Sequence, residues 1–262
     1  MRRPLLLVTV LATLVSGCFR SFNVRSYTTT AALYKVGMEK YRNGKWGDAA
    51  SAFERLTLDL PTRDTLLPLA HWYLAKARLK REEPLLAAQS FIRLSETAPD
   101  DTLADDALLA SGRAYSGMWH RASLDPQYGL LAQTQFRLLQ GVYPNSPLVD
   151  SVTAELKRLD ERFASKDYDT GIHYIRRKAY DSAILYLKDV VKTWPESDRA
   201  RQAMLRLVEI YRLPALRYTD DAKEVCDALR GAYPTDAEVL RACKSSPGDS
   251  TATSTAPAAR RP

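Results

Sequence analysis

Histidine is nearly missing from this chain. His71, His120 and His173 are the only three, they fall in separate stretches, and none forms an HxxxH or HxxE pair. A metal centre needs convergent ligands, so these three are read as packing or surface residues and no metal site is expected. The chain also lacks GxGxxG, a Walker lysine motif and GxSxG, which removes the phosphate-cradling loops and the nucleophile elbow. None of its three cysteines forms a CxxC, so a redox role is not expected. No segment sustains the apolar-polar alternation of a strand. The acidic pairs Asp100-Asp101, Asp105-Asp106 and Asp220-Asp221 could suggest a carboxylate dyad, but each sits at an expected helix start, where acids complement the helix dipole. No catalytic constellation and no cofactor site can be assembled, and the expectation is a non-enzyme.

A long apolar run is missing too, and the short one that exists is informative. Arg2 and Arg3 precede Leu5 to Val15, eleven residues that end in Val15-Ser16-Gly17-Cys18. A bilayer span needs about 20 residues, so this segment is a leader and not an anchor helix. A thiol directly after small Ser16 and Gly17 is what lipoprotein processing requires. Residues 1–17 are therefore read as a lipoprotein signal peptide and Cys18 as the lipidation site, with acyl chains fastening the mature protein to a membrane. Phe19, at the second mature position, favours the outer membrane of a diderm host, with the chain facing the periplasm.

The formal charge of +7 includes Arg2 and Arg3 of the leader and Arg260 and Arg261 of the tail. The remainder is only mildly basic, as a solvated helical surface would be, and no nucleic acid is expected as a partner. With Cys18 committed to lipid, Cys226 and Cys243 are left as one pair in an exported protein. Residues 18–28 read as a lipidated tether, with no helical period after Cys18. From 245 to 262 the composition is Ser, Thr, Ala, Pro and Gly, too poor in apolar area to offset ordering entropy, so a disordered polar tail is expected.

Between these ends runs a repeat. Alanine, a bulky residue four later and proline eight beyond that recur five times: Ala49, Phe53, Pro61; Ala87, Phe91, Pro99; Ala132, Phe136, Pro144; Ala183, Leu187, Pro195; and Ala222, Cys226, Pro234. Positions i and i+4 share a helix face, where the small residue admits a neighbouring helix and the large one fills the gap; proline then ends the helix. A second small residue stands twelve before the alanine at Gly37, Ala75 and Gly171, while Gly112 precedes Ala132 by twenty, marking an insertion of eight residues around Met118 to Pro126. Ile210 holds that place in the fifth unit. This pattern resembles the tetratricopeptide repeat, and residues 29–244 are expected to form an all-α, tetratricopeptide-like superhelical array of about five helix pairs. The helices are placed near 29–43, 46–60, 65–81, 84–97, 102–118, 127–142, 180–194, 198–213, 218–232 and 235–244. A further helix is placed near 147–177, where the stretch from Leu148 to Arg177, free of proline, reads as one long helix.

In that register Cys226 and Cys243 point inward from consecutive helices, either bridged or as two small core residues. Aromatics concentrate in the first two units. The first helix of each pair lines the concave face in such arrays, which makes Tyr34, Tyr41 and Tyr73 candidates for a client-peptide groove, with core packing as the alternative role.

A narrower resemblance rests on Asp125-Pro126-Gln127, Ala132, Phe136, Tyr143-Pro144-Asn145-Ser146 and the long helix into Tyr174, Arg177, Ala179 and Tyr180, with the insertion and the lipobox. Together these resemble the BamD family of outer-membrane assembly lipoproteins. The resemblance implies a scaffold in the assembly and insertion of β-barrel proteins, whose N-terminal repeats receive unfolded outer-membrane proteins. Its C-terminal repeats would bind a barrel-forming assembly protein through that partner's periplasmic domains, here at a surface around Arg177, Tyr186 and Arg212. The family can place an arginine where this chain has Tyr186. The alternative is another periplasmic repeat lipoprotein, one that coordinates envelope constriction or cell-wall synthesis.

Overall fold

A computed structural model describes residues 22–244; the leader, Cys18 and the tail from 245 lie outside them. Among the described residues every regular element is helical. The chain divides into two compact units, one ending at Tyr115 and the other beginning at Ser116.

The first unit opens with a 3-10 turn, Val24–Ser26, followed by α1 (Thr30–Arg42), α2 (Trp46–Asp59), α3 (Leu66–Lys80), α4 (Pro84–Thr97) and α5 (Ala104–Met118), whose last residues pass the boundary. Local chemistry sets the ends. Thr29 Oγ1 accepts from Ala32 N–H at 3.2 Å to start α1, and Pro84 occupies the first turn of α4. Each repeat proline follows its helix by two, Asp59 before Pro61 and Thr97 before Pro99, because the residue preceding proline is pushed out of the helical region.

Repeat packing follows the small-large logic. Ala49, Phe53, Ala87 and Phe91 are all buried. At Gly37 an added Cβ would stand 3.2 Å from both Ala52 and the Phe53 ring, so glycine lets α1 lie close on α2. A buried phenylalanine contributes about 1.5–3 kcal/mol by leaving water, and truncating it to alanine costs more because of the cavity left behind.

The turn inside four of the five pairs has a signature the sequence conceals. Gly44, Glu82, Lys178 and Arg217 all have φ between 54° and 73°. Each stands five residues before its repeat alanine. In three of them a Schellman-type bond closes the preceding helix: Lys45 N–H to Lys40 at 2.9 Å, Glu83 to Arg78 at 3.0 Å and Ala179 to Tyr174 at 3.0 Å. Only Gly44 adopts this left-handed conformation without a side-chain penalty.

The described part of the 18–28 segment docks on the first repeat. Asn23 caps the 3-10 turn, and Phe22, Val24 and Tyr27 pack against the core of the first repeat beside Tyr34, Met38 and Tyr41. Apolar area at three positions docks the segment without any helical period.

The second unit holds α6 (Gln127–Val142), α7 (Val149–Arg176), α8 (Tyr180–Thr193), α9 (Asp198–Tyr211), α10 (Thr219–Ala232) and the short α11 (Ala237–Ala242). Here Ala132, Phe136, Ala183, Leu187, Ala222 and Cys226 are buried in the same register. The insertion is ordered around Trp119, which is 1% exposed. Its ring meets Phe163 at 4.8 Å and carries the Arg162 guanidinium at 4.4 Å. Arg162 also donates to the Ser116 carbonyl at 3.3 Å, and Lys166 Nζ to that of Leu124 at 3.1 Å. Gly129 makes the room: a Cβ there would lie 2.5 Å from the Trp119 ring.

At the end of the unit, α11 is too short to persist alone and is fastened on several sides. Cys226 and Cys243 are joined by a disulfide with Cα atoms 5.4 Å apart. Asp236 caps α11 through Glu238 and Val239 N–H. The Arg201 guanidinium bridges Asp236 and Glu238, each at 2.7 Å.

Candidate functional site

The first unit brings its aromatic candidates together. Tyr41 meets Tyr73 edge to face at 5.4 Å, Tyr73 stacks on Phe53 at 5.6 Å, and Tyr34 meets the other edge of Phe53 at 6.0 Å. All three tyrosines are half-buried and pack against the core of the first repeat. Burial pushes the Tyr34 hydroxyl up, with the neighbouring Tyr73 adding and Arg42 opposing; burial and Tyr73 do the same to Tyr41. They stay neutral donors at physiological pH.

The open part of this unit lies one residue away. Trp72 and Leu79 of α3, with Asp106, Leu109, Ala110 and Arg113 of α5, line a cavity of about 370 Å³. These are first helices of successive pairs, the elements expected to face a bound peptide. Trp72 is braced by Phe91 at 5.1 Å, and Lys76 stands 5.6 Å over its ring. Burial raises the Asp106 carboxyl, helped by the charge of Asp105. An apolar floor with one carboxyl and cations at its rim suits a side chain of an extended peptide, with polar groups left to fix its register.

The cavity is lined by Trp72, a residue the sequence reading did not single out, and not by the adjacent candidate Tyr73. The signal was present. Tyr34, Trp72 and Leu109 each precede the small residue of their repeat, Gly37, Ala75 and Gly112, by three, and Tyr73 is one place out of that register. Adjacent residues on a helix point about 100° apart, so one place exchanges a lining position for a packing one.

The second unit distributes its candidates over three elements. Tyr186, on α8, stacks on Tyr174 at 5.4 Å, and His173 meets Tyr174 at 5.7 Å. Arg177 is exposed at the C-cap of α7. Arg212 caps α9, and its guanidinium donates to the Ala242 carbonyl and approaches Cys226 Sγ at 4.0 Å. Tyr186 thus packs beside Tyr174, Arg177 is exposed at the end of the same helix, and Arg212 fastens the last helix. A second cavity, of about 470 Å³, lies among α6, α7 and the α8–α9 turn, lined by Arg137, Lys157, Asp160, Trp194 and Glu196 among others. Trp194 stacks on Phe163 at 5.4 Å, and its Nε1 donates to Asp167 at 3.4 Å. Both Asp160 and Asp167 are raised chiefly by burial.

His71 is half-buried with its Nδ1 unpartnered, and burial together with Arg93 and Arg78 pushes it down to about 4. His120 and His173 are exposed. Among the described residues no group of three or more His, Cys, Asp or Glu could hold a metal ion, and no helix is long and apolar enough to cross a membrane. Cys18 lies outside the described residues.

Comparison with known proteins adds identity to this geometry. The chain is 25% identical over 213 residues to the outer membrane protein assembly factor BamD of Vibrio cholerae, covering 76% of this chain and 86% of that one. It is 24% identical over 207 residues to the protein of the same name from Xylella fastidiosa strain Temecula1, covering 79% of this chain and 61% of the relative, less than two thirds of its length. Among solved structures it is similar to the TPR domain of P58(IPK), at 14% identity and a TM-score of 0.43 over 81% of this chain and 54% of that one. A thermophilic TPR protein of Thermus thermophilus is similar at 18% identity and a TM-score of 0.35, covering 82% and 97%. The YfiO model, described as outer membrane lipoprotein, matches residues 27–230, which takes in nearly all the described helices, and the chain belongs to that family.

Proposed function

We propose that this chain is a non-catalytic, lipid-anchored scaffold in the assembly of β-barrel proteins into the outer membrane, held at the periplasmic face by acyl chains on Cys18. The observation that carries the reading is the family match across residues 27–230, together with relatives named as outer membrane protein assembly factors. The cavity lined by Trp72, Leu79 and Leu109 supports a groove for segments of unfolded outer-membrane proteins, since an open apolar floor with few polar groups tolerates varied sequences. The surface around exposed Arg177 and half-buried Tyr186 is the one proposed for the periplasmic domains of a barrel-forming assembly protein.

Affinity purification of the lipidated chain from its native envelope tests the reading. Recovery of a large β-barrel protein with tandem periplasmic domains is the expected result. Recovery of division or cell-wall proteins in its place would overturn it. Separately, Cys18→Ala is expected to release the chain from membranes, and retention of that variant would refute the anchor.

A further inference from the structure

The first unit is electrically polarised along its helices. Consecutive antiparallel helices place the 43–45 and 81–83 turns at one end, where Lys80 stands 6.0 Å over the Trp46 ring. Exposed Arg42, Lys45 and Lys80 crowd this end beside half-buried Lys76. Its carboxylates are partly neutralised: Asp48 pairs with Lys40 at 3.7 Å and Glu83 with Arg81 at 2.8 Å, leaving Glu39 and Glu82. The opposite end carries Asp59, Asp64, Asp100, Asp101, Asp105 and Asp106. The arginines there are Arg55, paired with Asp59 at 2.6 Å, Arg93, paired with Glu96 at 3.2 Å, and Arg63.

The N-terminal segment arrives at the basic end. Lys40, two residues from the end of α1, stands 5.2 Å over the Phe22 ring. Cys18 is four residues before Phe22. A fully extended chain covers roughly 3.3–3.6 Å per residue, so four residues reach no more than about 14 Å from Phe22. From Lys40 back to Thr30 the helix alone spans about 15 Å, and the acidic loops lie beyond it. A lipid on Cys18 would therefore be tethered from a point beside the basic turns.

From these two independent features, charge polarity and the docking of Phe22, we infer that the 43–45 and 81–83 end of the first unit rests on an anionic phospholipid surface. The acidic end is directed away from it. The occupant is a lipid surface because a lipid on Cys18 would bring one within reach, and this part of the inference rests on the anchor reading above. Each exposed cation held within a Debye length of an anionic surface improves partition about five-fold.

The test uses the full mature chain carrying Cys18→Ser, so that charge acts without acylation, and phosphatidylcholine vesicles with or without phosphatidylglycerol. Binding is expected only to the anionic vesicles and to weaken with salt. It should fall at least about ten-fold when Arg42→Glu, Lys45→Glu and Lys80→Glu are combined. Arg63→Glu, at the opposite end, should leave it unchanged, and matching thermal melts establish that all variants are folded. Equal binding to both kinds of vesicle, or indifference to the triple reversal, overturns the inference. Mass spectrometry of envelope-derived protein reads acylation of Cys18 separately, so failure of the anchor is distinguishable from failure of the surface.

Discussion

Gly129→Ala offers the sharpest test of how the insertion is built. The added methyl would lie 2.5 and 2.7 Å from two carbons of the Trp119 ring and 3.1 Å from Phe163. Real Cβ atoms do not come so close, so the ring must retreat. It has nowhere to go: Trp119 is 1% exposed, with Phe163 at 4.8 Å and the Arg162 guanidinium at 4.4 Å. Overpacking of this kind costs about 1–3 kcal/mol, against which a mid-helix glycine-to-alanine change returns up to about 1 kcal/mol. Gly141→Ala lies in the same helix with nothing within 4 Å of its new methyl, so it should be neutral or slightly stabilising. The gap between the two variants isolates the packing term. Urea denaturation followed by far-UV circular dichroism reads both, with unchanged slope and a lower midpoint expected for Gly129→Ala. Adding Trp119→Leu should make the second substitution far less costly, with a coupling of about 1 kcal/mol or more. If Gly129→Ala proved as mild as Gly141→Ala, or if the double variant were simply additive, the account of Trp119 as the keystone of the insertion would be refuted.

The left-handed turns make an opposite prediction: Glu82→Gly and Lys178→Gly should each raise stability by up to about 1 kcal/mol, and a lower melting temperature for either would contradict the strain at φ 61° and 59°. His71, held neutral down to about 4 by burial and two arginines, binds its proton more weakly folded than unfolded. Its contribution is therefore present above the unfolded value near 6.5 and lost as pH falls toward 4. After discounting for partial exposure the loss is on the order of 1–2 kcal/mol, and thermal melts of His71→Leu should show a flatter acid limb than the parent. Reduction of Cys226–Cys243, which closes a loop with a sequence separation of 17, should cost roughly 2–3 kcal/mol. Hydrogen exchange would then quicken first in α11, and uniform quickening across the second unit would argue against a local fastening.

What was legible in the sequence was whatever obeyed a period. The alanine, bulky residue and proline triplets fix the buried face and the end of each second helix at once, so those helices fall within a residue or two of their expected bounds. The proline-free stretch did run as one helix, Val149–Arg176. Features without a period stayed hidden. Phe22 and Tyr27 dock through apolar area and a cation over the Phe22 ring, and nothing in a ten-residue polar and aromatic segment announces it. Glu82 and Lys178 take a glycine-like conformation that no residue preference reveals, because the Schellman bonds of the turn outweigh their strain. Trp119 and Gly129 complement each other across an insertion that breaks the register. In the candidate groove, Trp72 and Tyr73 differ by a single position, and it is the adjoining helix α5 that makes Trp72 a lining residue.

The 28 residues of α7 form an unbroken rod of about 42 Å within the second unit. Its middle, at Arg162, Phe163 and Lys166, supports the insertion, and its second half is the opening helix of the next pair. Two repeats that elsewhere would be joined by a pliant turn therefore share one continuous ladder of backbone hydrogen bonds. Such a rod behaves as a lever: Trp119 packs on Phe163, about 16 Å along the helix from Tyr174, so a tilt of about 10° about that point displaces Tyr174 by about 3 Å. A load placed on one repeat is handed to the next as motion and is not absorbed between them.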